Sequence, residues 1–114
     1  MARRPSPPPD VRSATVRQSL REALLAGGPA TARDLSRRVG IPERDVALHI
    51  RHLDRSLRRG GERVAVEPAS CLACGFVFTH RERHRYTRPG RCPQCHARRI
   101  SLPLFRIERT GPQR

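Results

Sequence analysis

Two CxxC pairs, Cys71-Leu-Ala-Cys74 and Cys92-Pro-Gln-Cys95, hold every cysteine of this 114-residue chain. A CxxC turn brings two thiolates close enough to grip one ion, and the 17 residues between the pairs let the two turns face each other. The spacing therefore predicts a tetrahedral four-cysteine site of the zinc-ribbon type. Gly75 after the first pair, and Pro89 and Gly90 before the second, supply turn geometry. The large apolar side chains of this segment are Phe76, Val77, Phe78, Tyr86, Ile100, Leu102, Leu104, Phe105 and Ile107, a core of marginal worth. A structural zinc contributes about 10–16 kcal/mol in small peptides, so one structural Zn2+ on Cys71, Cys74, Cys92 and Cys95 is expected to decide whether this half folds.

Other uses of the sulfurs fit less well. Iron takes the same four ligands, and sequence alone does not separate it from zinc. A dithiol redox centre would use a single CxxC beside a strand-helix unit, whereas here the pairs match. Catalytic zinc needs an open position and a nearby acid or base; four thiolates fill the shell, and Glu82 is the only acid between the pairs. His80, His84 and His96 could stand in for a cysteine but are read as facing solvent or phosphate, His96 being the one expected beside the site. Hydrogenase nickel-insertion proteins carry a similar ribbon but require histidine after the initiator methionine, where this chain has Ala2. The leader MARRPSPPPDVR lacks the apolar core of a secretory signal and no later stretch is long enough to span a membrane, so a cytoplasmic protein with reduced cysteines is expected. With neither paired acids, an activated nucleophile nor a phosphate-cradling loop, the chain does not read as an enzyme, and no small-molecule substrate is evident.

Ahead of the cysteines the pattern is helical. Residues 1–10 are proline-rich and are read as a disordered tail, with a polyproline ligand as the lesser alternative. From Val11, the residues Val16, Leu20, Ala23 and Leu24 share one face, and Gly27, Gly28 and Pro29 end the run. A short helix follows, opened by a capping box of Thr31 and Asp34, carrying Ala32, Leu35 and Val39 inward, and closed by Gly40. Ile41 is expected to plug the turn and Pro42 to lie in the first turn of a third helix, whose apolar stripe is Val46, Ile50, Leu53 and Leu57. This succession is the helix-turn-helix pattern. Val64 and Val66 in ERVAVE then alternate as a half-buried strand should. No second wing strand follows directly, so the wing is either absent or completed from elsewhere, with residues 100–107 as the candidate and Pro103 restricting that run to an edge or bulge.

Charge selects the partner. The formal net charge is +14 and all 24 basic residues are arginine, so a polyanion, nucleic acid first, is the natural ligand. A G+C-rich genome would produce the same arginine bias, and the count alone overstates the case. On the third helix Arg44, Leu48, Arg51, His52 and Arg55 lie opposite the apolar stripe; Arg44 and Arg51 are placed for base edges and Arg55 for a phosphate. Glu43 and Asp45 in the same turn work against phosphate, and an ordinary solvated face is the bland alternative. Between the cysteine pairs Arg81, Arg83 and Arg85 alternate, with Arg88 and Arg91 following; they are read as a second nucleic-acid surface. Neutralising the negative four-thiolate centre is their bland role, while Tyr86 would stack on a base or cover the metal.

The stretch ERVAVEPASCLACGFVF, the later RPGRCPQCHARRISLPLFRI and the helical head before them resemble a small family of predicted transcriptional regulators in which a helix-turn-helix domain is fused to a C-terminal zinc ribbon. The likeness runs over about residues 12–108 and implies DNA binding and zinc at the four cysteines. The reading as a whole is an α+β chain: a winged-helix-like helix-turn-helix domain over 11–68, a small β zinc ribbon over 69–108, and short disordered tails at 1–10 and 109–114. Its expected function is transcriptional regulation on double-stranded DNA, as a homodimer or in contact with RNA polymerase. An RNA- or ribosome-associated protein and a protein-interaction adaptor are the alternatives.

Overall fold

The computed structural model describes residues 9–79 and 86–110. Helix α1 spans Pro9–Gly27, strand β1 Ala30–Thr31, helix α2 Ala32–Val39, helix α3 Glu43–Arg58, strand β2 Glu62–Glu67 and strand β3 Leu104–Arg109. Each helix follows from its local chemistry. α1 starts at Pro9, two positions before the predicted Val11, a residue suited to a first turn because its missing N–H would be unpaired there anyway. Thr31 and Asp34 form the predicted capping box, each side chain accepting from the other residue's backbone N–H at 3.1 Å. Gly40 closes α2 with φ +80°, and its N–H donates to the Ser36 carbonyl at 2.9 Å; left-handed backbone of this kind favours glycine. Pro42 is the N-cap of α3 rather than part of its first turn, because its ψ of 140° is extended.

The three helices bury one continuous core: Leu20 and Leu24 of α1, Leu35 of α2, and Val46, Ile50, Leu53 and Leu57 of α3. Ile41 packs against it as the turn plug. Burying side chains of this size stabilises by about 1.5–3 kcal/mol each, which is why stripe positions read from sequence survive in the fold.

The sheet was the less legible part. β1 and β2 both pair antiparallel with β3, giving the order β1-β3-β2. The strand that completes the sheet is thus supplied from beyond the cysteines, as one of the two sequence-based alternatives allowed. Its position corrects the expectation drawn from Pro103: the strand begins one residue after the proline and is central, not an edge. Pro103 is buried in front of it, where it removes no ladder hydrogen bond. Phe105 is the hub, wholly buried, facing Val66 of β2 on one side and Ala30 of β1 on the other. The pairing of Glu67 with Leu104 makes residues 68–103 an insertion between adjacent strands.

Candidate metal centre and nucleic-acid interface

The insertion carries two matching knuckles. In the first, the Gly75 N–H donates to the Cys71 carbonyl at 2.9 Å and the Cys71 N–H to the Phe76 carbonyl at 2.7 Å. In the second, the His96 N–H donates to the Cys92 carbonyl and the Cys92 N–H to the Ala97 carbonyl, both at 2.9 Å. The residue after each pair is left-handed, Gly75 at φ +83° and His96 at +65°. The latter is the only positive φ outside glycine among the described residues. A bridge between Ser70 and Val77 closes the first knuckle, a bridge between Cys71 and Ile100 ties it to the segment following the second, and Phe76 and Phe78 pack edge to face at 5.0 Å.

All four sulfurs lie within 4.8 Å of one another, with Cys71 to Cys95 at 3.5 Å and Cys74 to Cys92 at 3.6 Å. Four sulfurs placed about 2.3 Å from a tetrahedral zinc are about 3.8 Å apart, so the donor set fits that ion. The Cys74 N–H, and more weakly that of Ala73, holds the Cys71 thiol down to about 6 against the opposing effect of burial. Burial opposes ionisation of Cys92 too, yet the N–H groups of Cys95 and Gln94, 3.5 and 3.4 Å from its sulfur, keep that thiol below its ordinary range. The Phe76 N–H favours the Cys74 thiolate, but desolvation and the three neighbouring sulfurs push its thiol up to about 12. Such a cluster cannot gather four negative charges without a cation, and the four cysteines hold one structural Zn2+. His96 is exposed and lies outside the ligand group; its distinguishing feature is its backbone conformation.

The candidate interface residues divide. Arg44, Arg51 and Arg55 are exposed on α3, Leu48 is 51% exposed, and His52 is half-buried. Glu43, expected to oppose phosphate, faces Arg33 at 3.6 Å. Arg88 is exposed and lines, with Arg44, a groove between the start of α3 and the insertion; His52 and Arg55 line a second groove with Arg17 and Arg59. Arg81, Arg83 and Arg85, like His80, Glu82 and His84, lie outside the described residues. Tyr86 is not an exposed stacking platform. It is 5% exposed and joins the helical core, its ring 6.1 Å from that of Phe105.

Asp54 escaped the sequence reading. It is buried, accepts the Val64 N–H at 2.9 Å and pairs with Arg58 at 2.9 Å, so one carboxylate fastens α3 to β2. An acid inside an apolar stripe, four residues before an arginine, was its available signal.

Comparison with known proteins places this architecture. Residues 15–65 match the model described as PF0610-like, N-terminal, and residues 68–110 match the PF0610 rubredoxin-like zinc beta-ribbon domain. Among solved structures the chain is similar to protein PF0610 from Pyrococcus furiosus, known from solution NMR. The two share 26% identity and superpose with a TM-score of 0.69, over 96% of this chain and 99% of that one. No match was found among curated proteins. The two matched segments meet at β2, and the knuckle geometry falls wholly within the second: the chain carries a PF0610-like N-terminal domain followed by a PF0610-type rubredoxin-like zinc ribbon.

Proposed function

We propose that this protein is a non-enzymatic, DNA-binding transcriptional regulator whose head is a winged helix with the zinc ribbon inserted where a wing loop would be. Support comes from the element order, helix-strand-helix-helix-strand-strand, and above all from one observation. α3 buries Val46, Ile50, Leu53 and Leu57 while exposing Arg44, Leu48, Arg51 and Arg55. In this reading that face enters the major groove, where a planar guanidinium can donate two hydrogen bonds to a guanine edge. In the same reading Arg88, which lines one groove with Arg44, extends that surface onto the ribbon and contacts backbone phosphate. Zinc is structural and fixes the ribbon's position.

The test is a fluorescence-anisotropy titration of the metal-loaded full chain with duplex DNA and with single-stranded and structured RNA, over a series of salt concentrations. Preference for duplex with a steep salt dependence is expected. Preference for RNA would replace DNA with an RNA partner. Absence of binding to either, with salt-insensitive retention of RNA polymerase, would favour the adaptor role, for which the exposed Leu48, Leu72 and Val77 offer apolar contacts. Genome-wide mapping of bound sites would then supply the operator.

A further inference from the structure

The groove between α1 and the C-terminal half of α3 is lined by Arg17, His52, Arg55, Ser56 and Arg59, without a carboxylate. Neighbouring arginines are treated differently: Arg21 pairs with Glu62, Arg33 with Glu43 and Arg58 with Asp54. Among the described residues Arg17, Arg55 and Arg59 have no acidic partner. Three like charges around one cleft repel one another unless an anion joins them. The C-terminal end of α3 carries only about half a negative charge from its aligned peptides, too little to neutralise three guanidiniums. Arg55 also belongs to the outward face of α3, so a polyanion laid along that face passes the mouth of the cleft.

We propose that this cleft clamps one backbone phosphate of the duplex, with Arg17 from the first helix and Arg59 at the end of the third closing on it and the Ser56 hydroxyl and His52 imidazole as further donors. The proposal rests on the DNA-binding reading and deepens it by adding two contacts, Arg17 and Arg59, outside the expected recognition face. His52 provides an internal reporter. Burial lowers its pKa from the ordinary 6.5, and Arg17 of α1 with Arg55, His49 and Arg51 of α3 lower it further. A phosphate between those charges reverses the balance and raises it, so binding takes up a proton and strengthens as pH falls through the imidazole range.

The experiment uses the metal-loaded full chain and a random-sequence DNA duplex. Replacing both clamp residues, Arg17→Ala with Arg59→Ala, is expected to make the slope of log K against log salt shallower by about 0.9, one phosphate contact. Arg17→Lys with Arg59→Lys should restore it. In parallel, an NMR titration of His52 in the wild-type chain should show its pKa rising on addition of duplex. Inorganic tripolyphosphate is the second arm, because a free polyphosphate presents the same chemistry. A His52 response to tripolyphosphate but not to duplex overturns the proposal. An unmoved slope together with an unmoved His52, in a chain that still binds duplex, overturns the clamp and leaves the DNA-binding reading standing. A wild-type chain that binds no duplex overturns both.

Discussion

Stripping the metal is expected to loosen the helical head as well as the ribbon, because the insertion delivers two components to the head. The first is Tyr86, 5% exposed against the fully buried Phe105. Burial of a large side chain is worth about 1.5–3 kcal/mol and an aromatic pair about 0.5–1.5 kcal/mol more, giving about 2–4 kcal/mol. The second is loop closure. With the knuckles undone, residues 68–103 become a flexible connection of roughly 36 residues, whose closure costs about 3 kcal/mol. The sum is comparable to the whole stability of a domain this size, about 5–15 kcal/mol. The assay is native-state amide exchange by NMR, following Val64 and Ile107, which face each other across β2 and β3, before and after chelation under reducing conditions. Their opening free energy should fall by about 5 kcal/mol on chelation, whereas Tyr86→Ala with zinc retained should lower it by about 2–4 kcal/mol. If the metal leaves and these amides keep their protection to within about 0.5 kcal/mol, the coupling does not exist and the ribbon is merely an appendage.

Three further outcomes are expected. Asp54→Ala strands the buried Val64 N–H and releases Arg58, so urea unfolding should show a loss of about 2–4 kcal/mol, with Asp54→Asn, which keeps an acceptor, losing less. At the knuckles, Gly75→Ala forces a Cβ into left-handed backbone that nothing else crowds, costing about 1–2 kcal/mol, while His96→Gly should gain about 0.5–1 kcal/mol once glycine's extra entropy is set against the relief; resistance to zinc chelators reads both. For Asp34, the Thr31 N–H and hydroxyl, with Arg38 and Arg37, hold the carboxyl below its ordinary 3.8. Its contribution is therefore complete above that value and is lost as pH falls through the lower folded one. Asp34→Asn should flatten that acid limb of thermal stability and cost about 0.5–1 kcal/mol at neutral pH.

What could be read beforehand was local. The capping box at Thr31, the Gly40 stop, the α3 stripe and the two CxxC turns are each specified by residues within one or a few turns of chain, and each is present. Contacts between distant segments were legible only where a motif or an apolar run announced them, as for the paired CxxC turns and the candidate strand at 100–107. β1 is two residues long, too short for any alternation. The central placement of β3 depends on two distant partners, β2 some forty residues upstream and β1 at Ala30–Thr31 farther still. Tyr86, set among arginine and histidine, reads from sequence as stacking on a base or covering the metal, and only the return of the chain onto Phe105 shows what buries it. The half-hidden His52 and its companions Arg17 and Arg59 belong together only because α1 crosses α3, which no periodicity within either helix encodes.

Because β3 lies in the middle of the head's sheet but follows every helix and the whole ribbon in chain order, a ribosome making this protein finishes the helices long before it delivers the strand that seals them. A chain paused after Ile100 already possesses every metal ligand and all three helices, yet lacks Phe105, and its apolar surfaces stay open. Capturing zinc early in that interval shortens the search that the last strand must make. An organism producing this protein under metal starvation should accordingly accumulate aggregated or degraded chains instead of a soluble head missing its ribbon.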